Sequence, residues 1–146
     1  MKQIHLVVGV VTIVLSGAAG LWGAWCWWRV RNSRWFWWLL RASQVAIVVE
    51  AALGGVLLLT GHKSPGLHTL YGVLPLFVSF IAEQLRVSTA QMVLDKGGFE
   101  SAQAVGKLPE AEQHEIVRTI VRREIGVMTL AALVNTLLLA RAAMTS

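Results

Sequence analysis

Apolar residues come in long runs, and polar residues come in short clusters between them. Four runs, about 4–28, 36–60, 68–88 and 124–144, each hold at most two charged residues. A bilayer core about 30 Å thick needs roughly 20 helical residues to cross. Each run therefore predicts a transmembrane helix. The first follows Lys2 and contains a small-residue patch, Ser16-Gly17-Ala18-Ala19-Gly20, as a signal peptide would. It is read here as a retained span. The expected architecture is one all-α domain over 1–146, an integral membrane four-helix bundle.

The connections differ in kind. Gly61-His62-Lys63-Ser64-Pro65-Gly66-Leu67 predicts a tight turn with Pro65-Gly66 at the centre of a type II turn. Pro75 inside the third span is expected to kink it and free a carbonyl near Tyr71. Residues 89–123 read as a helical loop. Span three runs on as a polar helix to Asp95, Gly97-Gly98 breaks it, and a short segment follows to Gly106. Pro109, Glu110 and Glu112 mark a new helix start. That helix is predicted to run unbroken into span four, about 36 residues and roughly 54 Å long. Ile116, Val117, Ile120 and Val121 form an apolar stripe on it, and Ile116 and Ile120 are candidate interface residues.

Charge gives an orientation. Arg29, Arg31, Arg34 and Arg41 flank the first loop, and Arg86, Lys96, Lys107, Arg118, Arg122 and Arg123 the third. Only Lys2, Lys63 and Arg141 lie on the other side. Ten against three predicts loops one and three inside and both termini extracytoplasmic, with the third-loop helices extending into the cytoplasm. The expected location is a bacterial plasma membrane, crossed several times. The net charge is +5, but its basic residues cluster beside the spans and membrane topology accounts for them, so nucleic acid is not an expected partner; membrane lipids and other membrane subunits are.

All seven Trp lie between 22 and 38. Indoles favour the headgroup level, where an apolar body and an N–H donor are both satisfied. They read as an interfacial anchor. Trp22, Trp25, Trp28, Trp35 and Trp38 are also candidates for docking a partner, because Trp and Arg dominate interface hot spots.

The polar residues inside the spans are few. Small residues mark close helix contacts in lipid. Thr12, Ser16, Gly20 and Ala24 repeat every four residues in span one, as do Ala42, Ala46, Glu50 and Gly54 in span two. Glu50 is therefore expected to face another helix. Ser16, Glu50, Ser79 and Asn135 all fall within roughly 5 Å of the midplane at 1.5 Å per residue, and they are candidate hydrogen-bonding partners. No Lys, Arg or His is expected at that depth, so Glu50 is expected to be neutral at pH 7. It reads as interhelical glue, or as part of a proton or ion relay.

His5, His62 and His68 lie at the outer ends of their spans and are candidate cofactor ligands with Tyr71. No cofactor is expected first; haem b held between His5 and His68 is the alternative. The single Cys26 removes any intramolecular disulfide or multi-cysteine metal site, and no metal is expected. No nucleophile motif, phosphate-binding loop or dinucleotide fingerprint is present, so no catalytic residue is assigned.

The segment Leu67-His68-Thr69-Leu70-Tyr71-Gly72, with Arg141 ending the last span, resembles a loose group of uncharacterised small four-span bacterial membrane proteins. The resemblance implies a cluster of His68, Tyr71 and Arg141 at the outer face. The four-span layout is also similar to small b-type cytochromes, whose paired histidines deep in the helices this chain lacks. Three functions follow as expectations. The first is a non-catalytic accessory subunit of a larger membrane complex, respiratory or electron-transferring. The second is a small haem- or quinone-binding protein. The third is an oligomeric transporter or channel using Glu50.

Overall fold

The computed structural model describes residues 2–145, and among them there are five helices and no strand. The helices are α1 (Lys2–Arg29), α2 (Arg34–Leu59), α3 (Gly66–Lys96), α4 (Ala102–Val105) and α5 (Glu110–Met144). Four are long and apolar enough to cross a membrane, with mean hydropathy of 2.2, 2.0, 1.3 and 1.7 over their most apolar windows. The chain is a multi-pass helical membrane protein. The helix that enters span four starts at Glu110 and is continuous to Met144. α3 stays helical through the buried Pro75 and ends at Gly97.

Three helix ends are closed in the same way. The residue after the cap takes a left-handed conformation, and two backbone N–H groups return to free carbonyls of the last turn. Gly61 does this after α2, with φ +84° and bonds Gly61 N→Leu58 O and His62 N→Leu57 O. Gly98 does it after α3, with φ +72° and bonds Gly98 N→Asp95 O and Phe99 N→Leu94 O. The expected type II turn at Pro65-Gly66 is corrected. Pro65 caps α3 and Gly66 opens it, while Gly61 supplies the left-handed residue. Proline fits there because the first turn of a helix has no use for its missing N–H.

After α1 the left-handed position belongs to Val30, with φ +49° and bonds Val30 N→Trp27 O and Arg31 N→Cys26 O. A β-branched residue is strained there. Left-handed backbone costs an L-residue about 1–2 kcal/mol, and glycine returns about 0.5–1 kcal/mol of that as chain entropy. Val30→Gly is expected to stabilise the fold by roughly 0.5–1 kcal/mol on these two terms. Unfolding in mixed detergent micelles reads the effect, and a lower midpoint would refute it.

α5 is the most buried helix. Half of its apolar window is buried inside the chain, against 22%, 17% and 11% for α1, α2 and α3. It packs along α3 and α1, α1 packs on α2, and α2 on α3 is the loosest of these four adjacent contacts. The seams follow a seven-residue period. Pro75, Ala82 and Thr89 are buried on α3, Thr12, Ala19 and Cys26 on α1, and Phe36, Ser43 and Leu57 on α2. Such a period belongs to nearly antiparallel helices packed at about 20°. It also corrects the four-residue repeat expected for span two, because Ala42 is exposed. The apolar core gathers at the α1–α2 loop end, where Phe36 and Leu40 meet Cys26, Ala82, Ile125 and Met128.

Candidate functional site

The α1–α2 seam brings the first polar groups together. Gly23 lies against Phe36, Ser16 against Ser43, and Gly9 against Glu50. Each step of seven along α1 is matched by a step of seven back along α2. Ser16 and Ser43 share a buried 2.6 Å hydrogen bond. Across the bundle, Asn135 Nδ2 donates to Ser79 Oγ at 2.9 Å. Ser16, Ser79 and Asn135 thus do not gather around Glu50. The seam gives Ser16 to Ser43, a residue the sequence reading missed although it falls in the same seven-residue stripe as Phe36.

Glu50 has a different partner. Its Oε1 lies 3.1 Å from His5 Nδ1, out of line for a straight N–H···O bond. The expectation that no imidazole reaches this carboxyl is corrected. One helical turn, about 5.4 Å, separates the level of Gly9 from that of His5, and the glutamate arm spans it. Glycine makes the space on both sides. A Cβ on Gly9 would stand 2.9 Å from Glu50 Oε1, and one on Gly54 would stand 3.5 Å from the His5 ring. A carboxyl beside an imidazole can hold one shared proton on either group, so the pair is electroneutral overall in both arrangements.

The cluster continues. The His5 and His68 rings meet edge to face, with centroids 5.9 Å apart and planes at 76°. His68 Nδ1 lies 2.9 Å from the Ala142 carbonyl oxygen on α5. One line of contacts therefore joins Glu50 on α2, His5 on α1, His68 on α3 and the backbone of α5. The seven-residue stripes explain the placement. His5 stands seven residues before Thr12, and His68 seven before Pro75, so each occupies the outermost seam position of its helix. The seven-residue spacing that places them is present in the sequence. Glu50 Oε2 is buried without a hydrogen-bond partner, as are Thr129 Oγ1 and Asn135 Oδ1.

The other outer-face candidates stay apart. His62 is exposed and lies 3.3 Å from Thr60 Oγ1 within the turn. Tyr71 is half-buried and Arg141 exposed, and among the described residues no hydrogen bond or ion pair ties either to His68. The contact from α5 to His68 comes from the backbone next to Arg141.

At the opposite end the tryptophans divide. Trp22 Nε1 donates to Ser33 Oγ at 3.1 Å, and Trp37 Nε1 to Asn32 Oδ1 at 2.9 Å. Trp22 and Trp25 pack with centroids 5.2 Å apart, and Arg29 and Arg31 lie over Trp28 and Trp25. Trp27 packs its ring against Gly126. Trp28, Trp35 and Trp38 remain 75%, 72% and 67% exposed.

A second cluster went unread in the sequence. Glu83 on α3 takes bonds from Arg41 and from Gln44 on α2, the latter at 2.9 Å, and from Arg86 Nε at 3.0 Å. It fastens the loosest of the adjacent helix pairs. On α5, Ile116 and Ile120 are half-buried, Val121 packs against the core, and Val117 is 53% exposed.

Comparison with protein-family models, with curated proteins and with solved structures finds no match. The class is therefore set by the fold alone: a multi-pass helical membrane protein with one polar cluster at each end of its bundle.

Proposed function

We propose that the protein is a non-catalytic accessory subunit of a larger assembly in a bacterial plasma membrane, with both termini extracytoplasmic. The observation that carries this reading is a pair of uncovered glycines. Gly9, Gly17, Gly20, Gly23, Gly54 and Gly126 each face a side chain of another helix. Gly55 and Gly72, within α2 and α3, face nothing within 4 Å. In lipid, glycine is where a neighbouring helix can approach closely. Here the loosest of the adjacent helix pairs presents two such places, beside exposed Val56 and Val73.

A photo-crosslinking residue at Val56 or Val73, in the native membrane, tests the reading. The expected product is one discrete protein adduct, lost when Gly55 or Gly72 becomes Leu and absent from a crosslinker at exposed Val14. Lipid adducts alone at both positions would refute it. The orientation has its own measurement. Single cysteines at Ser64 and Ser101, in a Cys26→Ala background, are expected to label from the outside and only from the inside, respectively. Reversed labelling would overturn the topology.

The contact between His5 and His68 favours a second reading, a small haem- or quinone-binding protein. As placed, the two rings pack on each other, and His68 is further held by Ala142. Axial ligation would require the pair to open around a macrocycle. An optical spectrum of the protein extracted from its native membrane decides the haem case. A Soret band that disappears in His68→Ala would support it, and no band in either redox state would end it.

A further inference from the structure

The loop between α1 and α2 encloses an open cleft of about 290 Å³, lined by Trp22, Trp25, Arg31, Asn32, Ser33 and Arg34, with Trp35 at its edge. A water's share of liquid volume is about 30 Å³, so the cleft is roughly ten waters in size. The chemistry of its wall is one-sided. Asn32 Oδ1 and Ser33 Oγ both accept indole N–H groups, from Trp37 and Trp22. These acceptors are thereby turned to the wall, and the Asn32 amide N–H₂ is left over. Ser33 makes no side-chain cap on α2, so backbone N–H groups of the first turn of that 26-residue helix stay open. Arg31 is steadied over the Trp25 ring at 5.8 Å.

Nothing nearby neutralises the cations. The sequence holds no Asp or Glu before Glu50. Among the described residues, no carboxylate comes within ion-pair distance of Arg29, Arg31 or Arg34. The indoles set the depth of the cleft, because they favour the headgroup level of a bilayer. A donor-rich, cationic recess at that depth meets the phosphates of the surrounding lipid. Leu21, next to Trp22 on the side of α1 away from the loop in sequence, is exposed and apolar.

We propose that this cleft binds the phosphate headgroup of an anionic phospholipid. Arg31 and Arg34 hold the phosphate oxygens, supported by the Asn32 amide and the start of α2. Anionic headgroups are favoured over zwitterionic ones, because their net charge offsets the unpaired Arg31 and Arg34, whereas a zwitterionic headgroup brings a further cation to the recess.

The test uses the full chain in nanodiscs of phosphatidylcholine, with phosphatidylglycerol titrated in and bound lipid counted by native mass spectrometry. One phosphatidylglycerol per chain is expected to be retained in preference to phosphatidylcholine. Arg31→Ala with Arg34→Ala is expected to weaken retention about thirtyfold, from two arginines at close range. Arg122→Ala with Arg123→Ala, on α5, is expected to change it less than about threefold, because surface charge acts more weakly at a distance. Arg31→Lys with Arg34→Lys keeps the charge without the planar fork and should fall between, which covers the case where the alanine pair does not fold. Equal retention of both lipids overturns the proposal, as does wild-type retention in the alanine or the lysine pair. Inorganic phosphate that displaces the lipid at matched concentration would reassign the cleft to small anions and also overturn it.

Discussion

Gly23→Ala is expected to destabilise the bundle by about 2–3 kcal/mol, at the upper end of overpacking costs. A Cβ at Gly23 would collide with the Phe36 ring from one side and Thr129 Oγ1 from the other. Phe36 and Thr129 are both fully buried, and both sit on helices that pack against α1. Neither can retreat into open space. The Phe36 ring is held by Trp37 beside it and by the core around Cys26 and Met128. Relief requires α1 to move away from α2 and α5 together, which loosens the two contacts that position α1. Gly55→Ala is the matched control. Its Cβ would meet nothing within 4 Å, and the fold should keep its stability to within about 0.5 kcal/mol. Unfolding of the two variants in mixed detergent micelles compares them directly. Equal midpoints would refute the close approach of the three helices.

Glu50→Leu is expected to cost about 1–3 kcal/mol, the range for a buried polar partner left unsatisfied. The leucine leaves His5 Nδ1, already buried, with no oxygen near it. It also puts branched carbon against Gly9, where the carboxylate oxygen now sits. Glu50→Gln keeps the shape and an acceptor oxygen, and its cost should stay near the 0.6 kcal/mol average for interhelical hydrogen bonds in membranes. A double-mutant cycle with His5→Ala isolates the pair, and a coupling of about 0.5 kcal/mol or more is expected for residues in contact. Zero coupling, or equal stability of the leucine and glutamine variants, would show that Glu50 does not hold α2 to α1.

The four spans, the break at Gly97-Gly98 and the unbroken α5 were legible in the sequence because they depend on local composition. Twenty apolar residues must satisfy their own backbone in lipid, and only a helix does so within one segment. The polar pairs were not legible from depth alone. Ser16, Glu50, Ser79 and Asn135 were expected at one depth, but the seam sets Ser16 level with Ser43 and Glu50 level with Gly9, seven residues or about 10 Å apart; depth also leaves rotation about each helix axis free. Rotation is set by packing, and the packed stripes repeat every seven residues. Read with that period, His5 and His68 fall on the seams and Ala42 falls off one.

The sequence by itself determined an all-helical, multi-pass chain whose cations gather toward one pair of loops. Only the tertiary structure decided who touches whom. It made α5 the most buried helix, gave Ser16 to Ser43, and joined Glu50 to His5 and, through it, to His68. It also turned the Trp-rich loop into a cleft with its acceptors spent and its arginines unpaired. The reason is physical. Membrane insertion is governed by local hydropathy, whereas lipid tails are as apolar as the side chains that face them. Helix partners are therefore chosen by close fit and a few hydrogen bonds, both set by residues far apart in the chain.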